Sequence, residues 1–129
     1  MTKKEFKQVL DGKRYSYEME GNKIVVTRKG TVYLNSLTSI PLDMEFKNKG
    51  SVYLNSLTSL PPGAVFSNEG EVGLGSLTSL SPGVIFDNGG DVYLRSLMGG
   101  FFDDWKGNIE GIDNKRLLHV MISLGLFER

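Results

Sequence analysis

Gly30, Gly50, Gly70 and Gly90 stand twenty residues apart, and the residues between them keep step. Val32, Val52, Val72 and Val92 share the period, as do Leu34, Leu54, Leu74 and Leu94. Ser36, Ser56, Ser76 and Ser96 follow it too, with Leu37, Leu57, Leu77 and Leu97 beside them. A fixed period of about 20 to 50 residues marks a stacked repeat architecture. A single unit of this size cannot bury its own apolar face, so it is stable only when neighbouring units cover it.

Within one unit the run Thr31 to Asn35 alternates and reads as a strand. Val32 and Leu34 point inward, while Thr31, Tyr33 and Asn35 point outward. Leu37 and Ile40, with Leu57 and Leu60 and then Leu77 and Leu80, add inward positions after the strand. Pro41, Pro61, Pro62 and Pro82, with Gly63 and Gly83, predict a turn next. Phe46, Phe66 and Phe86, preceded by Met44, Val65 and Ile85, form a second apolar point. Asn48, Asn68 and Asn88 with the repeat-final glycine predict the turn back, because both residue types tolerate positive φ. Rungs about 4.8 Å apart align like residues into ladders. The Ser and Asn ladders are expected to hydrogen-bond backbone at the corners.

The run L-x-S-L-T-S-L-P-x-G-x-x-F, as in Leu54 to Phe66, resembles the leucine-rich-repeat pattern with its L-x-x-L-P segment. It is most similar to the short leucine-rich-like repeats of bacterial and phage proteins. The likeness covers Gly30 to about Leu97; the unit is shorter than usual, and Ser36, Ser56 and Ser76 stand where that pattern has a corner Asn. A horseshoe and a flattened or triangular β-solenoid both satisfy it. The resemblance implies protein recognition on the strand face, without catalysis. By analogy it extends to an inhibitor from a phage or mobile element, for example an anti-defence or anti-CRISPR protein.

The flanks read as ends of the stack. Thr2 and Glu5 form a candidate capping box, Phe6, Val9 and Leu10 share a helical face, and Gly12 is expected to stop the helix. Tyr15 to Met19, a turn at Gly21 and Asn22, and Lys23 to Thr27 read as a hairpin. The period breaks after Leu97; Phe101, Phe102 and Trp105 follow, and Asp113 can cap a helix from Asn114 to about Phe127. The apolar face of Leu117, Leu118, Met121, Ile122 and Leu124 suits a lid or a homodimer contact. The expected fold is therefore α+β and mainly β: one domain, a leucine-rich-repeat-like β-solenoid of about four rungs. Residues 1–29 would form an N-terminal helix-hairpin cap, 30–100 the repeats and 101–129 a C-terminal helical cap.

Charge and composition narrow the function. Residues 1–29 carry a net +4, residues 30–100 a net −3 and residues 101–129 a net −1. The basic start is interleaved with Glu5, Asp11, Glu18 and Glu20, unlike the clustered positive face of a nucleic-acid binder. Cysteine is absent. No apolar run has the length of a signal peptide or of a transmembrane helix, so the expectation is a soluble cytoplasmic protein with no membrane partner. The single histidine, His119, has no nucleophile or orienting acid at a supporting spacing. Asp103 and Asp104 are adjacent and diverge on any regular element. No metal-ligand cluster, phosphate-binding loop or G-x-S-x-G occurs. No enzyme and no cofactor are expected.

The outward strand rows remain: Thr31-Tyr33-Asn35, Ser51-Tyr53-Asn55, Glu71-Gly73-Gly75 and Asp91-Tyr93-Arg95. They diverge where the inward rows do not. Tyrosine is large, fairly rigid and polar at its tip, which suits an interface. Gly73 and Gly75 flank Leu74 on the third rung, and strand glycines often mark close approach of another group. One reading is a notch there, walled by Tyr53 and Tyr93 about 10 Å apart and rimmed by Glu71, Asp91 and Arg95. The other is drift in a tolerant row with the tyrosines as a simple ladder. The expected partner-binding residues are Tyr33, Asn35, Tyr53, Asn55, Glu71, Gly73, Gly75, Asp91, Tyr93 and Arg95, the partner being another protein. A carbohydrate-binding module and a self-assembling structural protein are the alternatives.

Overall fold

Each twenty-residue period closes one turn of a coil, and each turn supplies two short strands rather than one. The structure is a computed structural model that describes residues 1–79, 81, 83–94 and 96. The helix α1 spans Lys3–Lys13 and is followed by β1 (Tyr17–Glu20) and β2 (Lys23–Val26). The turns then give β3 (Val32–Tyr33), β4 (Met44–Phe46), β5 (Val52–Tyr53), β6 (Val65–Phe66), β7 (Val72–Gly73), β8 (Ile85–Phe86) and β9 (Val92–Tyr93). Strands β3-β5-β7-β9 make one sheet, and β1-β2-β4-β6-β8 make the other. Every pairing is parallel except that of β1 with β2. The result is a mainly β fold with a single helix among the described residues, a β-solenoid of about three turns. The expected fourth rung begins with β9, and beyond Leu94 only Ser96 of it is described. Leu80, Pro82, Arg95, Leu97 and the expected C-terminal cap over 101–129, with Trp105, His119 and the proposed dimer helix, lie outside the described residues.

Register follows the sequence period without slippage. Val32 pairs with Val52, Val52 with Val72, and Val72 with Val92. On the second sheet Phe46 pairs with Phe66 and Phe66 with Phe86. These phenylalanines stack with centroids 5.2 and 5.3 Å apart and planes within 7°. Between the sheets lie Val32, Leu34 and Leu57 with their counterparts, all buried, while Leu37 is partly covered. Burying one such side chain contributes about 1.5–3 kcal/mol, so the ladders dominate the stability of each turn. Two residues before each buried phenylalanine the inward positions are Met44 in β4 and, just ahead of β6 and β8, Ala64 and Val84. Val65 and Ile85 occupy the outward column opened by Glu45, which corrects the sequence reading that grouped them with Met44.

The corners use Asn and Gly for a different reason from the one expected. Positive φ occurs at Gly63 and Gly83, and at Asp43 in the equivalent place on the first turn, but not at the corner asparagines. Asn48, Asn68 and Asn88 are buried instead. Asn68 Nδ2 donates to Gly50 O at 3.0 Å and to Glu71 O at 3.1 Å, tying two turns together. Asn48 and Asn88 repeat the tie to Gly30 O and Gly70 O. The repeat-final glycines answer a demand for space. A Cβ on Gly50 would lie 2.6 Å from Gly30 C, and one on Gly90 would lie 2.9 Å from Gly70 C.

The N-terminal elements join this frame. Thr2 Oγ1 accepts from Glu5 N–H and Glu5 Oε1 from Thr2 N–H, completing the capping box. Phe6 and Leu10 enter the core. The helix runs through Gly12 and ends where Arg14 turns left-handed, so Gly12 is not its stop. Strand β2 pairs in parallel with β4, Ile24 with Met44 and Val26 with Phe46. That twenty-residue offset makes β2 half of an earlier turn. Arg28 stands at the corner-asparagine position and its Nε donates to Thr31 O at 2.8 Å, as Asn48 Nδ2 does to Ser51 O.

Candidate functional site: the tyrosine-bearing sheet face

Because β3, β5, β7 and β9 alternate about buried Val and Leu, their outward residues fall into three columns across the turns. The middle column is Tyr33, Tyr53, Gly73 and Tyr93. Tyr33 is 54% exposed and stacks on Tyr53, with centroids 5.7 Å apart and planes at 29°. Behind Tyr33, its own N–H reaches Tyr15 Oη at 3.4 Å, and the Arg28 guanidinium lies 4.3 Å from the Tyr15 ring centroid. Stacking along the coil turns ring edges and hydroxyls to solvent, whereas sugar platforms need ring faces.

The column changes character at Gly73. A Cβ there would meet Tyr53 Cδ1 at 2.8 Å and Asn55 Oδ1 at 3.0 Å. Gly73 is buried. The space that its missing side chain leaves is thus taken by Tyr53 and Asn55 and is not an open notch. Tyr53 Oη lies 3.4 Å from Glu71 Oε1, and Tyr93 Oη donates to Glu71 Oε2 at 2.8 Å. Glu71 is therefore held between the two phenols that flank Gly73.

The outer columns are tied turn to turn. Thr31 Oγ1 accepts from Ser51 N–H at 3.4 Å, and Ser51 Oγ from Glu71 N–H at 3.0 Å. Asn35 Oδ1 accepts from Asn55 N–H at 2.8 Å, and Asn55 Oδ1 from Gly75 N–H at 2.9 Å. Nine of the expected partner-binding residues thus share one face; Arg95 lies outside the described residues. Sequence alternation placed the nine together, but nothing in it identified Glu71 as the acceptor joining Tyr53 to Tyr93.

The electrostatics concentrate on the last two turns. The hydrogen bond to Glu71, then burial, then the charges of Glu71 and Asp91 push the Tyr93 phenol up to about 12. Burial and the Glu71 charge raise the Asp91 carboxyl as well. The opposite sheet carries a second polar cluster. Glu45 is 7% exposed and accepts from Lys23 Nζ at 2.8 Å and Ser67 Oγ at 2.9 Å. Burial alone would push Glu45 up, but these two bonds and the charges of Lys23 and Lys47 hold it below its ordinary value. Ser67 is held by an acceptor whose charge is already matched by Lys23, an arrangement that locks three turns together.

Among the described residues no three metal-ligating side chains gather, and no helix is long and apolar enough to cross a membrane. No protein-family model, curated protein or solved structure matches the chain.

Proposed function

We propose that this chain is a non-enzymatic binding protein that recognises another protein through the outer face of the β3-β5-β7-β9 sheet. The observation that carries the reading is the Tyr33–Tyr53 stack, continued through Glu71 to Tyr93. Aromatic side chains contribute most of the energy at many interfaces, and ones already held lose little freedom on binding. The likeness to leucine-rich repeats supports use of the strand face. It also supplies the proposal that the partner is a host protein inhibited by coverage, in the manner of a phage anti-defence protein. In this reading α1 and the β1-β2 hairpin serve as the N-terminal cap, protecting the edge of the first turn.

The test is affinity capture from bacterial lysate with mass spectrometry, comparing the wild type with a Tyr53→Ala, Tyr93→Ala double variant of unchanged circular dichroism. A partner captured by the wild type and lost by the variant supports the reading. Equal capture by both proteins moves the site off this face. Any inhibition of the captured partner should be stoichiometric.

A further inference from the structure

The two sheets begin differently at the N-terminal end of the coil. The β3-β5-β7-β9 sheet starts at β3, where the Tyr15 hydroxyl meets Tyr33 N–H at 3.4 Å. The other sheet starts at β1, and no strand lies beyond it among the described residues.

The pairing of β1 with β2 fixes which backbone groups face outward. Thr27 N–H donates to Ser16 O, whereas Ile24 N–H points away from β1 and donates to Asp43 O. Bonded and non-bonded pairs alternate in an antiparallel ladder. Glu18 and Glu20 therefore direct their backbone groups at β2, opposite Val25 and Lys23. Tyr17 and Met19, opposite Val26 and Ile24, turn theirs to the free edge. Their N–H and C=O groups form a row that an extended chain can bond. Side chains alternate as well. Tyr17 packs against the core, and Met19 on the same face is 44% exposed. Glu18 and Glu20 stand exposed on the opposite face. Lys23 Nζ lies 3.9 Å from Glu20 Oε1, but it is closer to the more buried Glu45, at 2.8 Å from Oε1. The edge is thus acidic on one face and apolar at Met19 on the other.

We propose that β1 accepts, as an added antiparallel strand, an extended protein segment in which two basic residues flank an apolar one. Residues of that segment opposite Glu18 and Glu20 fall at non-bonded positions, where facing Cα atoms are only about 4.5 Å apart. Lys or Arg there meets a carboxylate directly, and opposite charges across a ladder stabilise it. The apolar residue between them lies opposite Met19 and covers it. A second copy of this chain fits badly. Bonding Tyr17 of each copy to Met19 of the other puts Glu18 opposite Glu18, and a slip of two residues toward the hairpin turn puts Glu18 opposite Glu20. The edge belongs to the other sheet from the tyrosine face, so the inference does not rest on the role assigned to that face.

The test is fluorescence anisotropy of two labelled hexapeptides mixed with the full chain at low salt, one alternating Lys and Val, the other Glu and Val. The wild type should bind the Lys peptide in preference to the Glu peptide. Glu18→Lys combined with Glu20→Lys should reverse the preference and weaken binding of the Lys peptide about tenfold. Met19→Pro removes an outward N–H, leaves the hairpin bonds of Glu18 and Glu20 in place, and should weaken that peptide comparably. If Met19→Pro loses its β spectrum, amide exchange in the wild type decides: Met19 N–H should exchange more slowly once the Lys peptide is added. No binding of the Lys peptide by the wild type overturns the proposal. So does equal binding of the two peptides, undiminished binding by folded Met19→Pro, or unchanged exchange at Met19.

Discussion

Tyr93 Oη donates to Glu71 Oε2 at 2.8 Å, so a side chain on the last described strand is fixed by one that begins the turn before it. Tyr53 approaches the other oxygen of the same carboxylate from the opposite side of Gly73. The bond keeps the Tyr93 proton in place, and the folded phenol titrates at about 12 against an ordinary 10.0. The folded value is the higher one. The contribution to stability is therefore full below the unfolded value and declines as pH rises from there through the folded value. A tyrosinate absorbance titration should show a high-pH component from Tyr93. Glu71→Gln should bring that phenol back toward 10.0, and an unchanged high-pH component in Glu71→Gln would sink the assignment.

Two glycine-to-alanine changes should have opposite signs. Gly50→Ala places its Cβ 2.6 Å from the backbone of Gly30 and Thr31, so two turns must separate. A loss of about 1–3 kcal/mol is expected in urea melts. Gly12→Ala meets nothing within 4 Å inside α1 and should stabilise by up to about 1 kcal/mol.

Asn68→Ala should be among the costliest single changes on the second turn. It removes donors to Gly50 O, Gly70 O and Glu71 O at a buried corner. An unsatisfied buried polar group costs about 1–3 kcal/mol, so a loss above about 2 kcal/mol is expected by chemical denaturation. Glu69→Ala, at an exposed neighbour, should stay within about 0.5 kcal/mol.

Acid should weaken the wild type partly through Glu45. Its folded value is depressed below 4.5, so its contribution is present above the unfolded value and disappears as pH falls through the folded one. Glu45→Gln should be less stable near neutrality and show a flatter loss in the acid limb. Parallel denaturation curves for the two proteins across that range would show that Lys23 and Ser67 do not hold the charge.

The period, the inward Val, Leu and Phe ladders and the capping box at Thr2 were legible in the sequence because each rests on short-range spacing. The second strand was not. Met44 to Phe46 is too short to establish alternation, and the apolar outward residues Val65 and Ile85 blur it on later turns. The half-turn at β2 was hidden because Arg28 takes the place of the corner asparagine and matches only its hydrogen bond. At the site, alternation identified the outward row. The clasp on Glu71 depends on where the Tyr53 ring settles over Gly73, a contact between turns that no local pattern encodes.

Strand β2 meets β4 at the same offset at which β4 meets β6 and β6 meets β8. The backbone pairing is the same at every step, and only the Lys23–Glu45–Ser67 contacts distinguish the first steps from the last. Length is consequently a free variable of the molecule: a whole block can be duplicated or deleted between β4 and β8 and both junctions still fit. Such length variants would gain or lose stability in equal steps, and their recognition surface would grow or shrink by one row at a time.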